Sequence, residues 1–155
     1  MTKENHASTG MVDISHKSIT KRTAIAAAMI SMKPDAFKKL INGKSPKGDV
    51  LESARIAGII AAKSTPSIIP LCHPLQLSKV HIDFELDKRN TRVNVLAEVV
   101  CLGQTGVEME ALTAVTVVCL TIYDMMKWAD KEMVISDIKL LKKTGGKSGN
   151  FERKA

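Results

Sequence analysis

From Val80 to Leu86 apolar and polar residues alternate strictly, with Val80, Ile82, Phe84 and Leu86 on one face and His81, Asp83 and Glu85 on the other. That is the period of a strand with one buried side. Asp87-Lys88-Arg89-Asn90 has turn chemistry, and Val93, Val95, Ala97 and Val99 carry the alternation back, so the pattern predicts a hairpin. A last strand is predicted over 134–141, where Val134, Ser136, Ile138 and Leu140 share one face. Three segments read as helices. Pro34 suits the first turn of a helix over 35–42 that Gly43 stops. Asp49 and Glu52 form a D-x-x-E start for a second, reaching about Lys63, and Thr105 with Glu108 reads as a capping box for a third, reaching about Lys131. At ~1.5 Å per residue the third would span roughly 35 Å.

Residues 22–32 are ambiguous. Ala24, Ala26, Ala27 and Ala28 favour helix by propensity, yet both faces are apolar, as in a central strand. Counted as a strand, the segment gives the order β-α-α-β-β-α-β. That is an α+β, ferredoxin-like split β-α-β plan, an antiparallel sheet with helices packed on one face. Residues 1–10 are polar and patternless and read as a disordered N-terminus. Residues 11–143 form one domain without linker or repeat, and residues 144–155 read as a flexible basic tail.

Composition narrows the class. The chain has 155 residues, enough for one domain with a single core. No apolar run reaches the ~18 residues of a membrane span, and no apolar signal core follows Met1, so a cytoplasmic protein without a membrane partner is expected. Cys72, Cys101 and Cys119 are odd in number and form no C-x-x-C, which fits a reducing compartment and argues against a zinc knuckle. Net charge is 23 − 16 = +7, which attracts anions such as nucleic acid or a phosphorylated small molecule. Aromatic residues make up only 3% of the chain, too few for nucleic-acid stacking platforms, and the hairpin offers only Phe84, on its apolar side. A basic nucleic-acid-binding module is therefore the weaker reading.

Several residues could carry chemistry. Gly145-Gly146-Lys147-Ser148 is half of a phosphate loop, but Leu141 stands where the first Gly belongs and too few residues follow to open a helix. The alternatives are a basic segment that folds onto a phosphate or a solvated tail. His6, His16, His73 and His81 show no metal-ligand spacing, so no metal site is expected. His73, in the apolar loop Ile69-Pro70-Leu71-Cys72-His73-Pro74, is either a packed residue or a site residue. Lys47 precedes a helix start, where free N–H groups attract anions, or is a plain loop lysine. On the third helix Asp124 and Lys127 are i, i+3 neighbours within an apolar stretch, where a carboxylate and an amine would shift each other's pKa. Glu110 shares their stripe but lies ~20 Å along the axis, so one site cannot use both ends of one helix unless two subunits contribute.

Taken in order, Lys47-Gly48-Asp49-Val50, Ala54-Arg55-Ile56-Ala57-Gly58-Ile59, Ile69-Pro70-Leu71-Cys72-His73-Pro74-Leu75, Thr105-Gly106-Val107-Glu108-Met109-Glu110-Ala111-Leu112-Thr113 and Leu120-Thr121-Ile122-Tyr123-Asp124-Met125 resemble the cyclic pyranopterin monophosphate synthase family, known as MoaC. The resemblance runs from Met11 to Gly149, and Lys44-Ser45-Pro46 before Lys47 is its variable point. It implies that residues 22–32 are a strand. It implies a lyase of molybdenum cofactor (molybdopterin) biosynthesis that converts 3′,8-cyclo-7,8-dihydro-GTP into cyclic pyranopterin monophosphate and pyrophosphate by acid–base rearrangement. By position, Asp124, Lys47 and Lys127 match catalytic residues, and Leu71, Cys72, His73, Met109 and Glu110 match substrate-binding ones. Arg22, Glu108, Lys143 and Lys147 match residues lining the pocket or its lid. The resemblance further implies a homohexamer, a trimer of dimers with sites between subunits, and no tightly bound cofactor. Mg²⁺ accompanying the triphosphate and transient contact with the upstream radical enzyme are compatible with it. A catalytically inactive scaffold of the same family is opposed by the intact Lys47, Asp124 and Lys127.

Overall fold

The computed structural model describes residues 9–154; most of the segment read as a disordered N-terminus therefore lies outside the described residues. The chain runs β1 (Thr20–Ser31), α1 (Pro34–Ile41), α2 (Val50–Ile68), β2 (Leu77–Asp87), β3 (Arg92–Gly103), α3 (Glu108–Met126), β4 (Val134–Thr144) and β5 (Phe151–Glu152). The ambiguous alanine-rich segment is β1, and β2–β3 is the predicted hairpin. The five strands form one sheet in the order β2-β3-β1-β4-β5, with every neighbouring pair antiparallel. This is the expected α+β, ferredoxin-like plan with its helices on one face.

The core explains why β1 is legible only in part. Ala24, Ala26, Ala28 and Ile30 point into the core with Val93, Val95, Ala97 and Val99 of β3. Thr23, Ile25, Ala27 and Met29 face the other side of the sheet and are half-buried, so alternation is hidden by a second apolar set. The small side chains let α2 and α3 settle close to the sheet, bringing Ala54, Ala62, Ala111, Ala114, Val118 and Ile122 into the same cluster. Each fully buried Val or Ile contributes ~1.5–3 kcal/mol. α2 and α3 meet closely at Gly58, where an added Cβ would stand 2.5 Å from Val118 Cγ2. α3 is long and apolar enough to cross a bilayer, but eight of its residues are buried in this core, where a central helix needs apolar residues.

Three local expectations are corrected. Thr105 and Glu108 do not cap α3: Val107 is the N-cap, and no side chain bonds there. Glu108 turns instead to a tertiary partner, Lys143 at 3.2 Å. α3 also ends at Met126, about 28 Å from its start. The shared face of Val134, Ser136, Ile138 and Leu140 is broken, because β4 shifts register against β1 twice and Asp137 takes φ 54°. Val134 and Ile138 are exposed, while Ile135 and Leu140 pack on the core. By contrast, Asp49 does cap α2, accepting from the Glu52 N–H at 3.0 Å, and the helix runs on past Lys63 through Pro66.

After β4 the chain turns back at 145–150, and β5, absent from the elements the pattern predicts, pairs at Lys142–Glu152 and Lys143–Phe151.

Candidate active site

Two groups of polar side chains lie at opposite ends of α3. At its C-terminal end, Asp124 in the last turn holds two lysines: Lys47 Nζ lies 2.6 Å from Oδ2 and Lys127 Nζ 2.7 Å from Oδ1. Lys127 is delivered by helix spacing, Lys47 by the loop between α1 and α2. That loop is pinned to α3, since Ser45 Oγ donates to the Met125 carbonyl at 3.1 Å and accepts from the Lys47 N–H at 3.2 Å. Gly48 closes the turn at φ +97°, a region that favours glycine. Asp49 satisfies a donor of the α2 terminus, and the Lys47 side chain reaches across to Asp124.

The electrostatics of this cluster follow from the two contacts. The Lys127 ammonium, then that of Lys47, holds the Asp124 carboxyl down to about 2. Asp124 in turn holds the Lys127 ammonium above the usual lysine range. The apolar sequence around Asp124 predicts burial, but the side chain is 50% exposed. Val118, Cys119 and Ile122 face the core, whereas Leu120 and Asp124 face outward on the same helix.

At the N-terminal end of α3 lies a cavity of 520 Å³ whose lining, among the described residues, includes Lys17, Arg22, Lys143 and Lys147 and a single acid, Glu108. Arg22, on β1 and only 8% exposed, donates from Nε to the Gly103 carbonyl and from Nη2 to that of Gln104, both at 3.2 Å. Gly145 and Gly146 pass so close to it that a Cβ on Gly146 would overlap Nη1. Both glycines have positive φ, so the half phosphate loop is a turn wrapped on an arginine.

A second cavity of 250 Å³ adjoins the first through Thr105, Gly106 and Glu108 and adds Leu71, Cys72, His73, Met109 and Glu110. Glu110 is buried, and burial, reinforced by the charge of Glu108, pushes its carboxyl above the usual range. Burial and then Glu110 push the Cys72 thiol up. His73 Nε2 lies 2.8 Å from the Val12 carbonyl, tying this loop to the N-terminal segment. Since a carbonyl can only accept, Nε2 carries the proton in this contact.

The structure thus sorts the residues singled out in the sequence. Lys47, Asp124 and Lys127 form one cluster. Arg22, Glu108, Lys143, Lys147, Leu71, Cys72, His73, Met109 and Glu110 all line the two joined cavities. Within one subunit the groups stay apart: fourteen helical residues separate Glu110 from Asp124, ~21 Å. Sequence reasoning missed Lys17 and the hydroxyls of Ser18, Thr20 and Thr23 in the larger cavity. They belong to no motif, and only the closure of β4 beside β1 brings them to Lys143 and Lys147. Among the described residues no group of three or more His, Cys, Asp or Glu side chains could hold a metal ion.

This fold and these two clusters define a class, a small α+β subunit with a cavity lined by fixed cations at one end of its central helix and a carboxylate held between two ammonium groups at the other. The chain belongs to the MoaC family, whose sequence model matches residues 11–146. It is 54% identical to a protein of Pelotomaculum thermopropionicum over 144 residues, covering 93% of this chain and 85% of that relative. It is 54% identical to one of Thermoanaerobacter pseudethanolicus (92% and 90%) and 51% identical to one of Magnetococcus marinus (98% and 93%). All three relatives are called cyclic pyranopterin monophosphate synthase.

Proposed function

We propose that this protein is itself a cyclic pyranopterin monophosphate synthase of molybdenum cofactor biosynthesis. It is a lyase that takes 3′,8-cyclo-7,8-dihydro-GTP to cyclic pyranopterin monophosphate and pyrophosphate. The observation that carries the reading is Asp124 held between Lys47 and Lys127. The rearrangement opens one ring, closes another and forms a cyclic phosphate. No electrons are exchanged overall, so proton transfer and charge stabilisation suffice. Asp124 aims both ammonium groups and holds that of Lys127 protonated. Substrate that draws one lysine away leaves a carboxylate with a partner lost and its basicity raised, an acid–base couple formed on binding. Arg22, Lys143 and Lys147 hold the triphosphate, with Mg²⁺ arriving as part of the substrate where it is needed, and no resident cofactor takes part. The smaller cavity, with Leu71, Cys72, His73, Met109 and the carboxyl of Glu110, receives the heterocycle.

The separation of the two clusters makes a shared site the natural assembly. α3 and α2 also expose Met109, Leu120, Ile56 and Ile60, apolar side chains that a second copy would cover. Pairing two α3 helices antiparallel across a two-fold axis sets the Glu110 end of one against the Asp124 end of the other. We assign the protein to a cytoplasmic hexamer, a trimer of such dimers. Because the substrate is unstable, brief contact with the radical enzyme that makes it would protect the transfer. The test is to incubate the pure protein with the cyclic dihydro-GTP compound and measure pyrophosphate. Stoichiometric release with formation of the cyclic phosphate is expected; no release from folded, assembled protein overturns the reading.

A further inference from the structure

Glu108 stands where the two cavities meet and, among the described residues, is the one acid in the lining of the larger. Its carboxylate is 3.2 Å from Lys143 Nζ, and both side chains are about one-quarter exposed, 27% and 25%. Lys143 also donates to Ser148 Oγ at 3.2 Å, in the turn between β4 and β5. That turn lies against Arg22 through Gly146. One lysine therefore fastens the first residue of α3 to the turn, and it does so through a carboxylate occupying the kind of position a phosphate oxygen would take.

We infer that Glu108 is a competing internal anion: phosphates bound in the larger cavity must take Lys143 from it, and the exchange frees the Glu108 carboxylate toward the smaller cavity while loosening the turn through Ser148. A carboxylate and a phosphate cannot both be well served by one ammonium. A polyanion wins because Lys17, Arg22 and Lys147 attract it as well, whereas among the described residues Glu108 pairs with Lys143 alone. Phosphate binding is thereby coupled to the position of a carboxylate beside the heterocycle. The inference rests on the larger cavity holding phosphates, as proposed above, and not on the chemistry that follows.

Inorganic tripolyphosphate is the probe, titrated calorimetrically into the full-length protein at fixed salt. Glu108→Gln should bind it about fivefold more tightly than wild type, since the competitor has gone. In a Lys143→Met background the same change should gain less than about twofold, as a double-mutant cycle requires if the two side chains act on each other. A Glu108→Gln protein that binds equally or more weakly overturns the inference, and so does a gain of equal size in the Lys143→Met background. A second measurement needs no substitution. Saturating wild type with tripolyphosphate should change amide hydrogen exchange across 145–150, and unchanged exchange at saturation overturns the coupling. If tripolyphosphate behaves as stated but no pyrophosphate is released from the cyclic dihydro-GTP compound, the proposed reaction fails and this inference stands. If wild type does not bind tripolyphosphate at all, the phosphate role of the cavity fails, and the inference with it.

Discussion

Two carboxylates on one helix are pushed in opposite directions by their surroundings. Asp124, half-exposed between two ammonium groups, is held down to about 2, while burial pushes Glu110 upward. In the free protein Asp124 is therefore ionised at every pH above about 4, and an acidic limb of the kcat/KM profile near neutrality would belong to another group. Asp124→Asn keeps the shape but cannot carry the charge that holds Lys47 and Lys127. It should fold and assemble normally and lose about 10²–10⁴-fold in turnover, the usual contribution of a positioned acid–base group; near wild-type pyrophosphate release would refute the assignment. Glu110 makes the opposite prediction, for stability. Its folded pKa is raised, so its protonated form favours folding below the unfolded carboxylate range of about 4.3, and that advantage is lost as pH rises through the folded value. Glu110→Gln should therefore raise Tm at pH 7, with the gap closing toward pH 4. A gap that widened on acidification in thermal scans would contradict a strained buried carboxylate.

At the scale of elements, the α2–α3 contact decides where the site loops stand. α2 carries the Lys47 loop at its start, and α3 carries Asp124 near its end and Glu108 and Glu110 at its beginning. Gly58 lets these helices approach, and a Cβ there would meet Val118 Cγ2 at 2.5 Å and Ile82 Cδ1 at 3.3 Å, both on fully buried side chains. Overpacking of this kind costs about 1–3 kcal/mol, and the helix preference of Ala over Gly returns about 1 kcal/mol. Gly58→Ala should thus destabilise by up to about 2 kcal/mol in urea denaturation despite improving helix propensity. A stabilised variant would mean that Val118 rotates away without cost.

For the whole molecule, the distance along α3 becomes a statement about assembly. Since one subunit places Glu110 and Asp124 ~21 Å apart, two inactive variants should complement each other. Glu110→Ala and Asp124→Ala, mixed equally under conditions of subunit exchange, should regain about a quarter of the wild-type activity, because each site needs an intact half from each of two randomly chosen partners. Mass spectrometry verifies the exchange. A fully active monomer in sedimentation, or verified exchange without recovered turnover, would refute the shared site.

The chain's own pattern determines the β2–β3 hairpin, the Asp49 cap of α2 and the order of the elements other than β1, which it leaves open, and β5, which it does not show. These rest on neighbours within a few residues, whose periodicity and capping chemistry a sequence displays directly. The family resemblance, carried over by position, also names most of the side chains that line the cavities and all three of the Asp124 cluster. Tertiary structure decides the rest. Glu108 looks like half of a capping box until β4 brings Lys143 beside it, 35 positions further along the chain. Asp124 looks buried until packing chooses which face of α3 meets the sheet. Lys17 carries no local signal, and Gly145-Gly146 looks like a free tail until Arg22 occupies the space a side chain would need. Each of these depends on contacts between segments far apart in sequence, and local periodicity holds no information about which distant charge or ring will arrive.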